Sequence, residues 1–469
     1  MTALPAPAAT RPAARRWLLP AVCALLLSAC AAPPVTEVPQ RRQMAMPALP
    51  AMKNFAPRPG TPPVRANADI ARDILDLFFR MESGREVPRF TRYEAPIRVG
   101  LAGQVPPGAE AELSRLLLRL RSEAHIDIAR ADSAAAANLH VEFLPRARMQ
   151  AVVPHAACFV VPRVGGWDEF RRRRHGPEVD WTTLESRERI TVFVPADVAP
   201  QEVRDCLHEE LAQALGPLND LYRLSDSVFN DDNFHTVLTG FDMLVLRAAY
   251  DPALRTGMTR AEAAAALPAI LRRLNPRGER LPARGADDSP RAWIDAIETA
   301  LGPRTPAPAR RVAAHRALAI AEARGWADNR RAFSHFAVAR LSLASEIEMA
   351  VLNFAEAARI YAALPDGALH VAHVDMQMAA FALGSGQAEE ALVLTGRAIP
   401  AVQAAENAAL LATLLMIRAE ALEMLGHEQE ARAVRLDSLG WARYGFGADD
   451  TVRNRLSEIA ALTPPRAGG

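Results

Sequence analysis

Residues 209–220 read EELAQALGPLND, and this stretch constrains how the first half of the chain can fold. A helical pattern leads into it, so Glu209 and Gln213 lie one turn apart on the same helix face. Gly216 then allows the backbone to reverse, which brings Asn219 back over the helix. The stretch therefore predicts a helix, a turn and a returning loop that gather three polar side chains.

The spacing of this stretch resembles the zinc-binding motif of the metzincin peptidases, HExxHxxGxxHD. In that motif three histidines hold zinc and the glutamate activates water. Here Glu209, Gln213 and Asn219 stand at the three ligand positions, and the general-base position is retained as Glu210. Two supporting positions of the motif are retained as well, Gly216 and Asp220.

The residues at the ligand positions argue against a working zinc site. Two neutral amides and one carboxylate compete poorly for zinc, which proteins bind with His, Cys or carboxylate ligands. We therefore predict that the chain binds neither zinc nor another cofactor, and we assign no catalytic residue. Glu209, Gln213 and Asn219 are expected to hydrogen-bond to one another where a metal would otherwise sit. An ordinary amphipathic helix with a glycine cap is the alternative reading.

His208 precedes the motif, and its partner one turn later is Ala212. HEELA is therefore not a shifted two-histidine site, because the second histidine is missing. We expect His208 to cap the helix or to lie at the surface.

Several further stretches follow one another in the order of a known family. CLHEELAQALGPLND, SVFNDDNF, LVLRAAYDP and LRTGMTRAEA, with FFRMESGREVPRFTRYEAPIRVGL upstream, resemble the bacterial domain-of-unknown-function family 2927. The resemblance covers roughly residues 70–274. It implies a secreted or lipidated envelope protein with a degenerate metzincin-like domain, and it implies no known activity.

Helical and strand patterns alternate in this half of the chain. AELSRLLLRLRSEA has helical spacing, whereas NLHVEFL, ACFVV and RITVFV read as strands. Together with the motif, these patterns predict an α+β, zincin-like domain over residues 68–274.

The second half of the chain is helical and carries weak repeats. NFAEAARIY, GQAEEALVL and HEQEARAV contain matching alanines, Ala357, Ala391 and Ala431, which lie 34 and 40 residues apart. The first interval equals the tetratricopeptide period, and the segment resembles that family. We predict tetratricopeptide-like helical repeats over residues 305–465, after a linker with a short helix over residues 275–304. A plain helical bundle is the alternative.

The N-terminus carries a targeting signal. Arginines precede the apolar run WLLPAVCALLLSA, which is shorter than a membrane span. The run ends in LSAC, which resembles a bacterial lipobox, so residues 1–29 are predicted to be a signal peptide and Cys30 the lipidated residue. Because Ala31 follows Cys30, the resemblance implies the outer membrane, with the body facing the periplasm or, alternatively, at the cell surface. An ordinary signal peptide or a membrane anchor is the alternative.

Residues 30–67 are rich in Pro, Ala and Met and show no periodic apolar face. This composition predicts an extended tether between the lipid and the folded body.

Cys158 and Cys206 are the thiols that remain once the signal peptide is removed and Cys30 is lipidated. In the oxidising envelope they are predicted to form a disulfide. Two buried thiols are the alternative that the sequence leaves open.

Composition excludes some classes of protein. The formal net charge of +1 is too balanced for a dedicated nucleic-acid binder. Lys53 is the sole lysine, which excludes a GxxxxGK[ST] phosphate loop and a catalytic lysine in the folded part. We predict a binding or scaffolding protein that contacts envelope proteins through the helical repeats. The alternative is an active hydrolase in which Glu210 activates water on a metal held partly by Glu209.

The Cys30→Ser variant should fail to incorporate labelled fatty acid, because the substitution removes the thiol that the lipid requires. Metabolic labelling followed by membrane washing measures this. A variant that stays membrane-bound, together with a native protein that takes up no label, would show that the lipoprotein assignment is wrong.

Overall fold

The computed structural model describes residues 48–56, 58–285, 287–302 and 305–464. The predicted signal peptide, residues 1–29, and the predicted lipidation site, Cys30, lie outside these residues. No helix in the described ranges combines the length and apolarity needed to cross a membrane.

Up to residue 274 the chain alternates helices and strands. The helices are α1 Asn67–Phe79, α2 Ala109–Glu123, α3 Arg146–Gln150, α4 Trp167–Arg173, α5 Pro200–Leu215, α6 Gly240–Ala249 and α7 Arg260–Leu274. The strands are β1 Ile97–Gly103, β2 Ile128–Arg130, β3 Leu139–Leu144, β4 Phe159–Pro162 and β5 Ile190–Pro195.

The five strands form one mixed sheet in the order β2-β1-β3-β5-β4. Four strands run parallel, and β4 pairs antiparallel with β5 at the edge. Every residue of β5, ITVFVP, is buried, as expected for a strand covered on both faces. The predicted domain of mixed helices and strands is confirmed as an α/β domain with a mixed sheet.

Helix α5 carries the EELAQALGPLND stretch and packs against the sheet. Leu207, Leu211 and Ala212 are fully buried on its inner face. Cys206 on the same helix is bonded to Cys158, which directly precedes β4, and their Cα atoms are 5.9 Å apart. The predicted disulfide is confirmed, and it ties the edge of the sheet to the motif helix.

The rest of the chain is all-helical, with nine helices in the described ranges. They are α8 Arg291–Leu301, α9 Ala307–Ala323, α10 Asn329–Ser342, α11 Ile347–Ala362, α12 Ala368–Gly384, α13 Ala388–Ala404, α14 Ala408–Met424, α15 Glu428–Phe446 and α16 Asp449–Ala460. Successive helices pack as pairs, and the buried Ala357, Ala391 and Ala431 lie on three of them. Small side chains at these positions let the helices approach closely. The predicted helical region is confirmed, and the tetratricopeptide-like identity of its repeats stays a prediction.

The two regions share a hydrophobic core. Tyr222 and Phe234 of the α/β domain are buried among helical-region aromatic residues. The ring centroid of Tyr222 lies 5.0 Å from that of Trp293, and that of Phe234 lies 5.6 Å from that of Phe336. Edge-on aromatic contacts of this kind hold the two regions together.

Residues 49–56 and 58–66, here called the strap, run over the body without helix or strand. The ring centroid of Phe55 lies 4.5 Å from that of Trp441 on α15, and the Lys53 amide donates to the Gly440 carbonyl at 3.0 Å. Further along, the Gly60 amide donates to Glu123 on α2 at 2.9 Å. The end of the predicted tether, residues 30–67, therefore contacts both regions.

Replacing both cysteines, Cys158→Ser with Cys206→Ser, should lower the free energy of unfolding by about 4 kcal/mol, because the open chain gains conformational freedom when unfolded. Guanidinium denaturation followed by circular dichroism measures the change. Native protein treated with reductant should show the same loss, and the double variant should not respond to reductant. Equal stability of all samples would contradict a stabilising bridge.

Candidate functional site

Gly216 ends the motif helix where the chain passes close to another helix. A Cβ atom at this position would lie 2.1 Å from the Phe78 ring of α1. The φ angle is 171°, which any residue adopts, so the glycine is required by this close approach and not by a left-handed backbone. The motif helix and α1 are thereby brought into direct contact.

The C-terminus of α5 is capped by the buried side chain of Arg187. Its guanidinium donates to the carbonyls of Gln213 at 2.9 Å, Ala214 at 2.8 Å and Gly216 at 2.7 Å. It also donates to the Thr91 carbonyl at 3.1 Å. Burial lowers the pKa of Arg187 to about 10, so the side chain stays charged against the negative end of the helix dipole.

The Asn219 side chain is bonded to α1 and not to the motif helix. Its side-chain amide donates to the Asp76 carbonyl at 3.0 Å, and the neighbouring Leu218 amide donates to the Leu77 carbonyl at 2.8 Å. The last carbonyls of α1 lack partners within their own helix, which explains why they attract these donors. No hydrogen bond joins Asn219 to Glu209 or Gln213, all three of which are described, so the predicted network is wrong.

His208 is buried, and its Nδ1 accepts a hydrogen bond from the Leu238 amide at 3.1 Å. Burial, followed by the charge of Arg204, holds its pKa well below the ordinary value for histidine. The expectation of a capping or surface residue is wrong, because the loop before α6 folds over this part of the helix.

Five acidic side chains in and around the motif influence one another electrostatically, and we call them the carboxyl cluster. Its members are Glu82, Glu209, Glu210, Asp220 and Asp231. Their mutual charge repulsion contributes to their raised pKa values. None of the five forms an ion pair with Arg, Lys or His within the described chain. The structure thus places Glu209, Glu210 and Asp220 together, and it adds Glu82 and Asp231, which the sequence did not indicate.

Burial and mutual repulsion favour the protonated form of each acid in the carboxyl cluster. Burial, then the charges of Asp231 and Glu82, raises the pKa of Glu209 to about 8. Burial, then the charge of Glu209, raises the pKa of Glu210 well above the ordinary range. Burial also raises the pKa of Asp220, with Asp231 adding to the effect. Among the described residues, no group of three His, Cys, Asp or Glu side chains is arranged to hold a metal ion.

A cavity of about 520 Å³ lies between the strap, the α/β domain and the turns of the helical region. Val237, Phe241, Leu281 and Leu369 contribute apolar walls. The Nε2 atom of His235, another lining residue, is buried without a hydrogen-bond partner. Sequence reasoning did not find this cavity, because its walls come from segments far apart in the chain.

The raised pKa of Glu209 should make stability depend on pH. The folded protein keeps this proton up to about pH 8, whereas an unfolded glutamate loses it near about pH 4. The stabilising contribution is therefore complete below about pH 4 and is lost as pH rises through about 8. We therefore expect the thermal midpoint to fall between about pH 4 and 8, and to fall less in Glu209→Gln.

Differential scanning calorimetry across this pH range measures the effect. Glu348→Gln, which removes an exposed carboxyl on α11, serves as the control and should behave like the native protein. Parallel pH profiles for the native protein and Glu209→Gln would contradict the assignment.

The α/β domain matches a known protein family. Residues 67–269, which run from α1 into α7, match the family described as Protein of unknown function (DUF2927). No curated protein and no solved structure matches the chain. The family recognised from the sequence motifs is thus confirmed over the α/β domain, and the helical region follows the matched residues.

Proposed function

We propose that this chain is a bacterial envelope protein that binds a protein partner and has no catalytic activity. Cys30 carries the lipid that anchors it in the outer membrane, with the body facing the periplasm. Its α/β domain is a degenerate metzincin-like domain that uses neither zinc nor another cofactor. Its partners are other envelope proteins, and nucleic acid is not among them.

The observation that carries this proposal is the cavity between the two regions. Its volume of about 520 Å³ lies in the range of small-ligand and peptide pockets. Phe241 of the α/β domain and Leu369 of the helical region both line it. A wall that combines apolar side chains with a few polar groups suits an extended segment of a partner.

Contacts around the cavity hold its walls in place. Arg65 of the strap forms an ion pair with Asp226 in the loop after α5, and also with Asp73 on α1 at 3.0 Å. The Ser225 hydroxyl donates to Asp366 of the helical region at 2.6 Å. Because these contacts already hold the walls in place, ordering them when a partner binds costs little free energy.

Two features of the motif support a non-catalytic role. The Asn219 amide donates to the Asp76 carbonyl and is therefore engaged in joining the loop to α1. Burial, followed by the charge of Glu209, raises the pKa of Glu210, which disfavours the ionised form that a general base needs. Both features argue against metallopeptidase chemistry.

The helical region supports the binding role in a second way. Paired helices with buried alanines at their contacts resemble tetratricopeptide repeats, which present concave surfaces to peptides and proteins. The turns between these helices, at Leu364 to Leu369 and Ala401 to Glu406, contribute to the cavity.

Ala368→Trp should reduce partner capture, because Ala368 is exposed and lines the cavity, so a larger side chain fills it without disturbing the core. We expect about a tenfold loss, comparable to one misplaced interface side chain. Cross-linking in intact cells, followed by quantitative mass spectrometry of proteins bound to the full chain, measures the recovery. Ala323→Trp, at an exposed position of α9 away from the cavity, is the matched control.

Equal partner recovery by the two tryptophan variants would remove the cavity from the binding surface. An active hydrolase would be supported instead by stoichiometric zinc in the native protein and by a hydrolytic activity that chelators and Glu210→Gln both abolish.

A further inference from the structure

One wall of the cavity is made by the strap. Residues 58–66 follow one another along the lining and form its longest continuous run of chain. The other walls include α6 and turns of the helical region, which contribute Phe241 and Leu369. A movement of the strap alone would therefore widen the cavity into an open groove.

The strap is anchored on both sides of the cavity. Before the cavity, the Phe55 ring stacks on the Trp441 ring of α15. After it, Arg65 forms an ion pair with Asp73, and its guanidinium carbon lies 4.3 Å from the centroid of the Phe241 ring. These contacts fix where the strap enters and leaves the cavity wall.

The part between these anchors, residues 58–64, is held more weakly, and we call it the lid. Within the described chain its single hydrogen bond joins the Gly60 amide to Glu123 of α2 at 2.9 Å. None of its side chains belongs to a hydrophobic core, and Val64 is 64% exposed. Segments with few buried contacts open at a much lower free energy than the whole fold.

The lid rests on the body through two glycines. A Cβ atom at Gly60 would lie 2.7 Å from the Cα atom of Gly240, and a Cβ atom at Gly240 would overlap the Thr61 carbonyl oxygen. Gly240 is the first residue of α6, whose Phe241 and Val245 side chains are buried in the core. The closed position of the lid therefore depends on the absence of a side chain at both glycines.

The composition of the lid favours movement as one unit. Pro59, Pro62 and Pro63 fix three of its φ angles and donate no backbone hydrogen bond. Proline-rich segments are stiff over several residues, so bending is concentrated at their ends. Opening thus breaks the Gly60 hydrogen bond and the contact between the two glycines, while the anchors persist.

We propose that the lid opens at Gly60 while both anchors hold, and that this opening admits the partner segment to the cavity. The proposal rests on the binding function above and adds how access to the cavity is controlled. The closed lid forms one wall of the cavity, and the open lid leaves that side to the partner. The fraction of molecules with an open lid then sets the apparent affinity for the partner.

Hydrogen exchange of the purified full chain, read at single amides by mass spectrometry, tests the opening. Gly240 is the reporter, because its amide has no partner within α6 and the lid backbone covers it. Gly60→Ala should raise the exchange rate of this amide by about tenfold, as expected for one overpacked contact. Gly396→Ala on α13 is the matched control, because its Cβ atom would meet only Arg418, at an ordinary 3.6 Å.

A second variant weakens the lid without altering the contact between the glycines. Glu123→Ala removes the acceptor of the Gly60 amide and should also speed exchange at Gly240, to a smaller extent. The amides of β5 lie in the core and should exchange at the native rate in both variants. Native exchange at Gly240 in Gly60→Ala would overturn the proposal. Faster exchange of β5 in that variant would also overturn it, because Gly60 would then support the whole fold.

Partner capture tests the control of access. In the cross-linking assay with intact cells, Gly60→Ala should capture the partner about tenfold faster, because more molecules hold the lid open. Native capture by Gly60→Ala, together with lost capture by Ala368→Trp, would refute the control of access and leave the binding function intact. Equal capture by Ala368→Trp and Ala323→Trp would refute binding at the cavity, and the lid would then control no access.

Discussion

The guanidinium of Arg187 beneath the C-terminus of α5 is the interaction on which the rest of the site depends. It satisfies three carbonyls at the end of the motif helix and one carbonyl of the segment before β1. Without it, these buried acceptors would lose both water and partner, at a cost of about 1–3 kcal/mol each. The direction in which the chain leaves α5 is therefore set by a side chain that lies outside the motif.

The segment between α5 and α6 contributes to two different parts of the structure. Asp220 and Asp231 belong to the carboxyl cluster, whereas Asp226 and Val237 line the cavity. The segment is braced internally, since the Asn230 side-chain amide donates to the Leu224 carbonyl at 2.8 Å.

Local sequence patterns accounted for much of the fold. Apolar runs predicted the strands, helical spacing predicted α5, and Gly216 predicted where α5 ends. The Cys158–Cys206 disulfide followed from counting thiols in an oxidising compartment. These features were predictable because each depends on neighbouring residues or on simple chemistry. The motif order was also sufficient to recognise the family that matches residues 67–269.

The residues that contact across the fold were decided only by tertiary structure. Asn219 bonds to Asp76 and His208 accepts from Leu238, and neither partner is near in sequence. The shared core of Tyr222 and Trp293 and the cavity beside it likewise join segments from both regions. The sequence by itself determined which polar residues the motif helix carries. Packing determined which of them found partners, because a hydrogen bond depends on the final positions of atoms that distant parts of the chain supply.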